Sequence, residues 1–370
     1  MNITLHLTNS CNLKCSYCFV DKCERFMDRM TAFKAVDFVV RRSLEKENIG
    51  ISFYGGEPLL MKNLIYDTVL YSKARYPDRR FSFSLTTNGL LLDEQMCLFA
   101  KNFGLLIAIS IDGDKNVHDM CRVDLNSQGS HERVVNAAKM LLKYKPNAVC
   151  MATVNPETAP YLSDSVKYLY DLGFTYVVCT INHFAPWTDE DLRVLKEEYG
   201  RIADLYYEKT IKEDKFYFAP FDIKISNYIF NKSSKETCSL GERHISVTPE
   251  GDLYPCLQLV DRDEYHLGHL DTGISDEKRK KVHELSKSIA SDCEGCALYD
   301  RCRNYCSCAN ISASGYIDKV SPLQCEHERM IIEISDTIAR KLYKKKNALF
   351  IHKHYNEMYP IISAIEDKLK

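Results

Sequence analysis

No run of apolar residues in this 370-residue chain is long enough to cross a membrane. Its first eight residues, Met-Asn-Ile-Thr-Leu-His-Leu-Thr, lack the basic start and apolar stretch of a secretory signal, so a cytoplasmic location is expected. Glycine (15) and proline (11) are too few for a collagen-like or low-complexity chain. With 45% hydrophobic and 27% charged residues, disorder is excluded as well. Charge of one sign is also missing. Lys and Arg number 49 against 51 Asp and Glu, a net charge of -2, so no field exists to attract nucleic acid in general. Only cysteine is in excess, at 16 residues. Cytosolic thiols stay reduced, so clustered cysteines here read as metal or cluster ligands rather than disulfides. The length allows two or three folding units, or one large barrel with an appendage.

The first half alternates strand and helix patterns. Ile3, Leu5 and Leu7 alternate with polar residues, a strand that stops at Asn9-Ser10. Thr31 to Glu47 carries a helical apolar face (Ala32, Ala35, Val36, Val39, Val40) with Thr31 as its expected cap. Further strands are predicted at 51–54, 81–85, 105–111, 148–154 and 174–181, with helices near 60–76, 93–103, 131–144 and 161–171. This order implies a parallel sheet with right-handed crossovers and a site at the strands' C-terminal ends. Six such units by about residue 185 predict an α/β partial (β/α)6 barrel over residues 1–187. Residues 188–237 read as a helical connection, 238–325 as a Cys-dense region needing metal or cluster cross-links, and 326–370 as C-terminal helices. The basic run Lys341, Lys344, Lys345 and Lys346 reads as a solvated helix face.

Cys11, Cys15 and Cys18 follow the first strand with the spacing C-x3-C-x2-C. A structural zinc wants four protein ligands, and Cys23 is the nearest fourth; a cluster held by three thiolates keeps one iron open. The run Cys11-Asn12-Leu13-Lys14-Cys15-Ser16-Tyr17-Cys18, with Gly55-Gly56-Glu57-Pro58 after the next strand, resembles the signature of the radical SAM superfamily. The resemblance implies a [4Fe-4S] cluster whose open iron holds the amino and carboxylate groups of S-adenosylmethionine. Reductive cleavage then yields a 5′-deoxyadenosyl radical. It also implies cofactor contacts: Tyr17 to adenine, Gly56 and Glu57 to the amino group, and Ser110 and Arg122 to ribose and carboxylate. Asn88, in the Thr-Asn-Gly strand end, is a further candidate. An arginine suits the carboxylate because its planar fork binds in two places.

Cys238, Gly251 and Cys256 are followed by Cys293-x2-Cys296-x5-Cys302-x3-Cys306 and by Cys325. This pattern resembles the SPASM domain, which holds two auxiliary iron–sulfur clusters, for three [4Fe-4S] clusters in all. By that pattern Cys293, Cys296, Cys302 and Cys325 complete the outer cluster, while Cys238, Cys256 and Cys306 hold the inner one. The inner set is one thiolate short. Cys308 and His244 are candidates to close it, and a substrate thiolate is the third.

The overall layout resembles peptide maturases and anaerobic sulfatase-maturating enzymes. The latter carry an aspartate base directly after the Cys of the Gly-x4-Cys segment, where this chain has Leu257. A leucine accepts no proton. The favoured reading is therefore hydrogen abstraction from a ribosomally made, Cys-containing precursor peptide, closed by a thioether crosslink. Formylglycine formation, epimerisation and carbon–carbon crosslinking are the alternatives; an Fe–S electron carrier or zinc scaffold is the non-enzymatic one. No catalytic base is identified. A flavodoxin or ferredoxin is the expected reductant. With the first strand starting at residue 2, leader recognition is expected from a separate protein or from residues after 326.

Overall fold

The computed structural model describes residues 1–230, 240–288, 290–302 and 306–369. Six strand–helix repeats run through its first half, as the sequence pattern predicts. They begin with β1 (Asn2–Thr8), α1 (Arg29–Arg42), β2 (Ile49–Gly55), α2 (Lys62–Arg75), β3 (Phe81–Thr87) and α3 (Glu94–Phe103). Next come β4 (Leu105–Ser110), α4 (Lys115–Cys121), α5 (His131–Tyr144), β5 (Val149–Val154), α6 (Leu162–Asp171), β6 (Tyr176–Ile181) and α7 (Asp189–Ile211). After β7 (Tyr217–Phe218) and α8 (Ala219–Ile229) come the short strands β8 (His244–Val247), β9 (Asp252–Tyr254), β10 (Gly268–His269) and β11 (Gly273–Ile274). The remaining helices are α9 (Asp276–Lys287), α10 (Ser307–Ser314), α11 (Pro322–Lys344), α12 (Ala348–Tyr355) and α13 (Tyr359–Leu369). None of the helices among the described residues is long and apolar enough to cross a membrane.

Contacts gather the described residues into two compact units, neither contiguous in sequence. One comprises Met1–Ile109, Val123–Gln128 and Cys238–Ser288. The other comprises Ser110–Arg122, Gly129–Thr237 and Ile289–Lys370.

In the first unit the strand order is β11-β10-β9-β8-β1-β2-β3-β4. Strands β8, β1, β2, β3 and β4 run parallel, and β9 to β11 add an antiparallel edge. The register Leu5↔Phe53 and Ile51↔Phe83 puts Ile3, Leu5, Leu7, Ile51, Phe53, Phe83 and Leu85 on one face, all buried. That face packs with the buried stripe of α1 (Ala32, Ala35, Val36, Val39). Each Val, Ile, Leu or Phe among them contributes roughly 1.5–3 kcal/mol by leaving water. The opposite face carries Thr4, His6, Ser52, Tyr54, Ser84 and Thr86, where the Ser52 and Ser84 hydroxyls meet at 2.8 Å. A polar sheet face turned away from the helices is where a site can be built.

Two expectations need correction. α1 is capped by Asp28, whose carboxylate accepts from the Thr31 amide at 2.6 Å, so the helix starts before Thr31 and ends at Arg42, short of Glu47. An aspartate three residues before an amide caps better than the threonine that owns it. The Cys-rich stretch is less loop-like than its texture implies, since β8 pairs with β1 from Asn2↔His244 to Leu5↔Val247. Strands of two to four residues are too short to show an alternation.

In the second unit β5, β6 and β7 are parallel neighbours. The segment after β4 joins them through the Ile111 amide and the Met151 carbonyl, 3.0 Å apart. Helix α11 packs on α7 and α8. Between α8 and α11 the Lys224 ammonium meets the Glu328 carboxylate, both buried, and also donates to the Arg301 carbonyl at 3.1 Å. Removing one partner leaves a buried charge without its counter-charge, which costs roughly 3–5 kcal/mol. Glu328→Gln should therefore lower the urea midpoint strongly, and Lys224→Met combined with Glu328→Leu should recover most of the loss. Equal midpoints for Glu328→Gln and the parent would show that the pair does not hold these helices.

Candidate cluster and cofactor site

The three-cysteine loop begins where β1 ends. Its base is tied by side chains of the strand end: Thr8 Oγ1 donates to the Arg25 carbonyl (2.7 Å), and Ser10 Oγ to the Cys23 carbonyl (3.1 Å). Leu13 is fully buried and anchors the middle, with Lys14 bonded through its amide to the Val123 carbonyl at 2.9 Å. Around that anchor Cys11 and Cys15 are half-buried and Cys18 is exposed. Tyr17, half-buried, separates Ser16 from Cys18. Cys11 and Cys18 carry free thiols.

The loop rests on the glycine pair at the end of β2, Gly55 and Gly56. The Gly56 amide donates to the Thr8 carbonyl at 2.7 Å, and the Glu57 amide to the Ser10 carbonyl at 2.9 Å. A Cβ on Gly56 would lie 2.2 Å from the Ser10 carbonyl oxygen, so only glycine permits this approach. The Glu57 side chain is fully buried. It accepts from the Leu59 amide (2.9 Å), the Thr87 hydroxyl (2.7 Å) and the Asn88 amide (2.8 Å). Burial pushes its pKa above the usual carboxylate range, and the three donors hold it back. Glu57 thereby ties the ends of β2 and β3 together. Asn88 turns toward the loop, donating to Asn12 Oδ1 at 2.7 Å and approaching Cys11 Sγ at 3.7 Å.

These sulfurs suit a cluster. The Leu13 amide and Asn88 Nδ2 both point hydrogen at Cys11 Sγ, the kind of contact that tunes cluster potential. Burial, with Glu57 and Cys15 nearby, pushes the Cys11 thiol up to about 11, so it ionises only against a cation. No three Cys, His, Asp or Glu side chains among the described residues could hold a single metal ion directly.

In the second unit, Ser110 is buried at the end of β4. Arg122 caps α4, and its Nε and Nη2 reach both oxygens of buried Asp112 at 2.8 and 3.1 Å. The fork expected to hold a methionyl carboxylate thus already grips a carboxylate of the chain. Asp112 also accepts from the Thr153 amide at 2.9 Å, joining this loop to β5. Sequence reasoning missed Asp112; the available signal was an acid just past the strand end, ten residues before the arginine.

The same unit gathers the late cysteines. Cys293 ends a short 3-10 turn, and the Cys296 amide bonds to the Cys293 carbonyl at 3.2 Å. Burial raises the Cys293 thiol, and the nearby Cys296 and Cys325 of α11 raise it further. Arg329, one turn along α11, bonds to Cys325 and supplies positive charge there. Cys302 follows with its amide on the Leu298 carbonyl at 2.9 Å. Cys306 caps α10, where Cys308 is buried. Cys256 belongs to the first unit, in the turn after β9, and His244 lies at the start of β8 with Nε2 3.4 Å from Asn2 Nδ2. Cys238 falls outside the described residues.

Residues 5–169 match the model of the radical SAM superfamily. An uncharacterised protein of Methanocaldococcus jannaschii is 33% identical over 206 residues, which covers 55% of this chain and 70% of that protein. The chain belongs to the radical SAM superfamily. As a radical SAM enzyme it is similar, over 81% of its length and 85% of the relative's, to a cysteine-type anaerobic sulfatase-maturating enzyme of Clostridium novyi, at 25% identity over 321 residues. Its α/β partial-barrel fold matches that of anSMEcpe with bound AdoMet and Cp18Cys peptide, with TM-score 0.79, 20% identity and 92% and 98% of the two chains covered. Streptococcus suis SuiB bound to precursor peptide SuiA matches with TM-score 0.62 and 14% identity, over 88% of this chain and 75% of that one. Membership implies the cofactors, a [4Fe-4S] cluster and S-adenosylmethionine, and the Cys11–Cys18 loop fits that cluster.

Glu57 carries this site's first test. A neutral amide cannot accept from all three donors equally well, and hydrogen bonds to a charged group are worth roughly 1.5–3 kcal/mol each. Glu57→Gln should lower the unfolding midpoint and weaken S-adenosylmethionine binding together, as read by urea titration and equilibrium dialysis. A stable variant with altered binding alone would make Glu57 a pure cofactor contact.

Proposed function

We propose that this radical SAM enzyme is a maturase of Cys-containing peptides that closes a thioether. Hydrogen is removed from a carbon of the peptide, and the peptide's own cysteine sulfur bonds to that carbon. What carries the peptide reading is the likeness to the sulfatase-maturating enzymes along four-fifths of the chain. Fold matches to proteins whose structures hold peptides point the same way. Leu257 favours the thioether step. It opens the turn after Cys256 and offers no proton acceptor at the position where the sulfatase enzymes carry aspartate.

Cys11, Cys15 and Cys18 would hold the cluster that, with bound S-adenosylmethionine, supplies the 5′-deoxyadenosyl radical. Tyr17, Gly56, Glu57, Asn88, Ser110 and Arg122 are the proposed surroundings of that cofactor. Several of them also orient their neighbours. Gly56 lets the loop approach, Glu57 and Asn88 fix its back, and the Asp112–Arg122 pair fixes the end of β4. Cys293, Cys296, Cys302 and Cys325 are the proposed ligands of an outer auxiliary cluster, and Cys238, Cys256 and Cys306 of an inner one. The inner set leaves one position to the substrate thiolate, a soft ligand suited to iron. A flavodoxin or ferredoxin as reductant, and a separate leader-recognition protein, complete the proposal.

A second reading, oxidation of a cysteine to formylglycine, is favoured by the same likeness to the cysteine-type enzyme. Product mass separates the two. A thioether costs the peptide two hydrogens, whereas formylglycine costs it the sulfur. In anaerobically reconstituted protein, Cys15→Ala should abolish 5′-deoxyadenosine formation and lower iron by about a third, leaving the auxiliary clusters assembled. Retained cleavage of S-adenosylmethionine in that variant would overturn the assignment of the loop.

A further inference from the structure

Both closing reactions release a proton from the substrate's sulfur, and the residue directly after Cys256 is Leu257 rather than an acid. On the polar face of the first unit, His6 is only 4% exposed, yet its Nε2 has no hydrogen-bond partner among the described residues. A buried polar atom left unsatisfied costs roughly 1–3 kcal/mol and calls for an explanation. The surroundings of His6 supply one.

His6 stands on β1 opposite Tyr54 of β2, with ring centroids 5.6 Å apart and edge to face. Tyr54 stacks in turn on Phe19 at 6.4 Å, and Phe19 directly follows Cys18. One aromatic row therefore runs from the cysteine loop to the imidazole. Two charged groups act on the ring. Asp261 favours its protonated form and Arg25 opposes it. Asp261 is held by an Arg25 Nη1 bond of 2.8 Å, while the Arg25 Nε is taken by Glu250 at 2.8 Å. The Asp261 backbone sits at φ +63, a left-handed conformation that non-glycine residues adopt at a cost and that recurs at functional sites. Burial pulls the imidazole down to about 4, so it is neutral at physiological pH and Nε2 keeps its lone pair.

We propose that His6 Nε2 accepts the sulfhydryl proton of the substrate peptide, with Asp261, positioned by Arg25, stabilising the imidazolium that forms. This rests on the peptide-maturase reading and deepens it. The carbon-bound hydrogen atom goes to the 5′-deoxyadenosyl carbon, the S–H proton to His6, and one electron to an iron–sulfur cluster as the oxidant. The sulfur then bonds to the carbon, either of a second residue as a thioether or of its own residue as a thioaldehyde. His6 can take the proton in either outcome.

The test uses the full, anaerobically reconstituted chain and a panel of 18-residue peptides, each with one cysteine and a Cys→Ser counterpart. Modified peptide and 5′-deoxyadenosine are measured together. The parent should give a ratio near one. His6→Ala and His6→Gln should still form 5′-deoxyadenosine in the presence of peptide, while the ratio falls at least tenfold and quenched peptide returns with hydrogen from solvent. The glutamine variant keeps a polar neutral side chain in case alanine disturbs the sheet. A merely structural histidine would lower both quantities together, and an unchanged ratio in His6→Gln would overturn the proposal. A parent that modifies no peptide of the panel overturns the peptide reading itself, and the proton assignment with it.

Discussion

The approach of two backbones at the ends of β1 and β2 is the constraint on which the first unit's site depends. Gly55 and Gly56 bring the end of β2 against Thr8–Ser10 so closely that a single added carbon would collide with a carbonyl. That contact decides where the cysteine loop leaves the sheet. Everything bonded to it follows: Glu57 draws in Thr87 and Asn88, Asn88 reaches Asn12 and Cys11, and the loop closes on Arg25. A motif that reads in sequence as a cofactor contact is thus a structural bracket in the fold.

The second unit solves a similar problem with charge. Asp112 and Arg122 form a two-bond pair, both buried, at the end of β4, and Thr153 extends it to β5. Such a pair is held for its geometry, since desolvation consumes most of its Coulombic gain. Farther along, α11 carries Cys325 to Cys293 and Cys296 while Lys224 and Glu328 fasten it to α8. Helix packing and cysteine placement are therefore one arrangement.

The strands and most helices of the first half are legible in the sequence because period-2 and period-3.6 patterns are local. The place of the cysteine loop is legible too, because Asn9-Ser10 ends the first strand just before Cys11. The cap of α1 lies a turn away from its expected place because Asp28 and Thr31 are both good caps, and only geometry decides which carboxylate or hydroxyl meets the free amide. β8 to β11 are illegible because their pairing, not their composition, makes them strands. The unsatisfied nitrogen of His6 lies beyond reach for the same reason: a side chain's bonds across a sheet depend on register, which a single sequence does not print.

In the proposed reaction a hydrogen atom, a proton and an electron leave one peptide. Each needs its own acceptor, and the proposal assigns them to the Cys11–Cys18 loop, the buried imidazole and the late cysteines. The central claim is that the first of these leaves one iron open to S-adenosylmethionine. Mössbauer spectra of iron-57-reconstituted protein, with and without S-adenosylmethionine, test it most directly. The cofactor should shift one iron subsite, and the shift should vanish in Cys18→Ala. A spectrum indifferent to the cofactor, in protein with a full complement of iron, would contradict it.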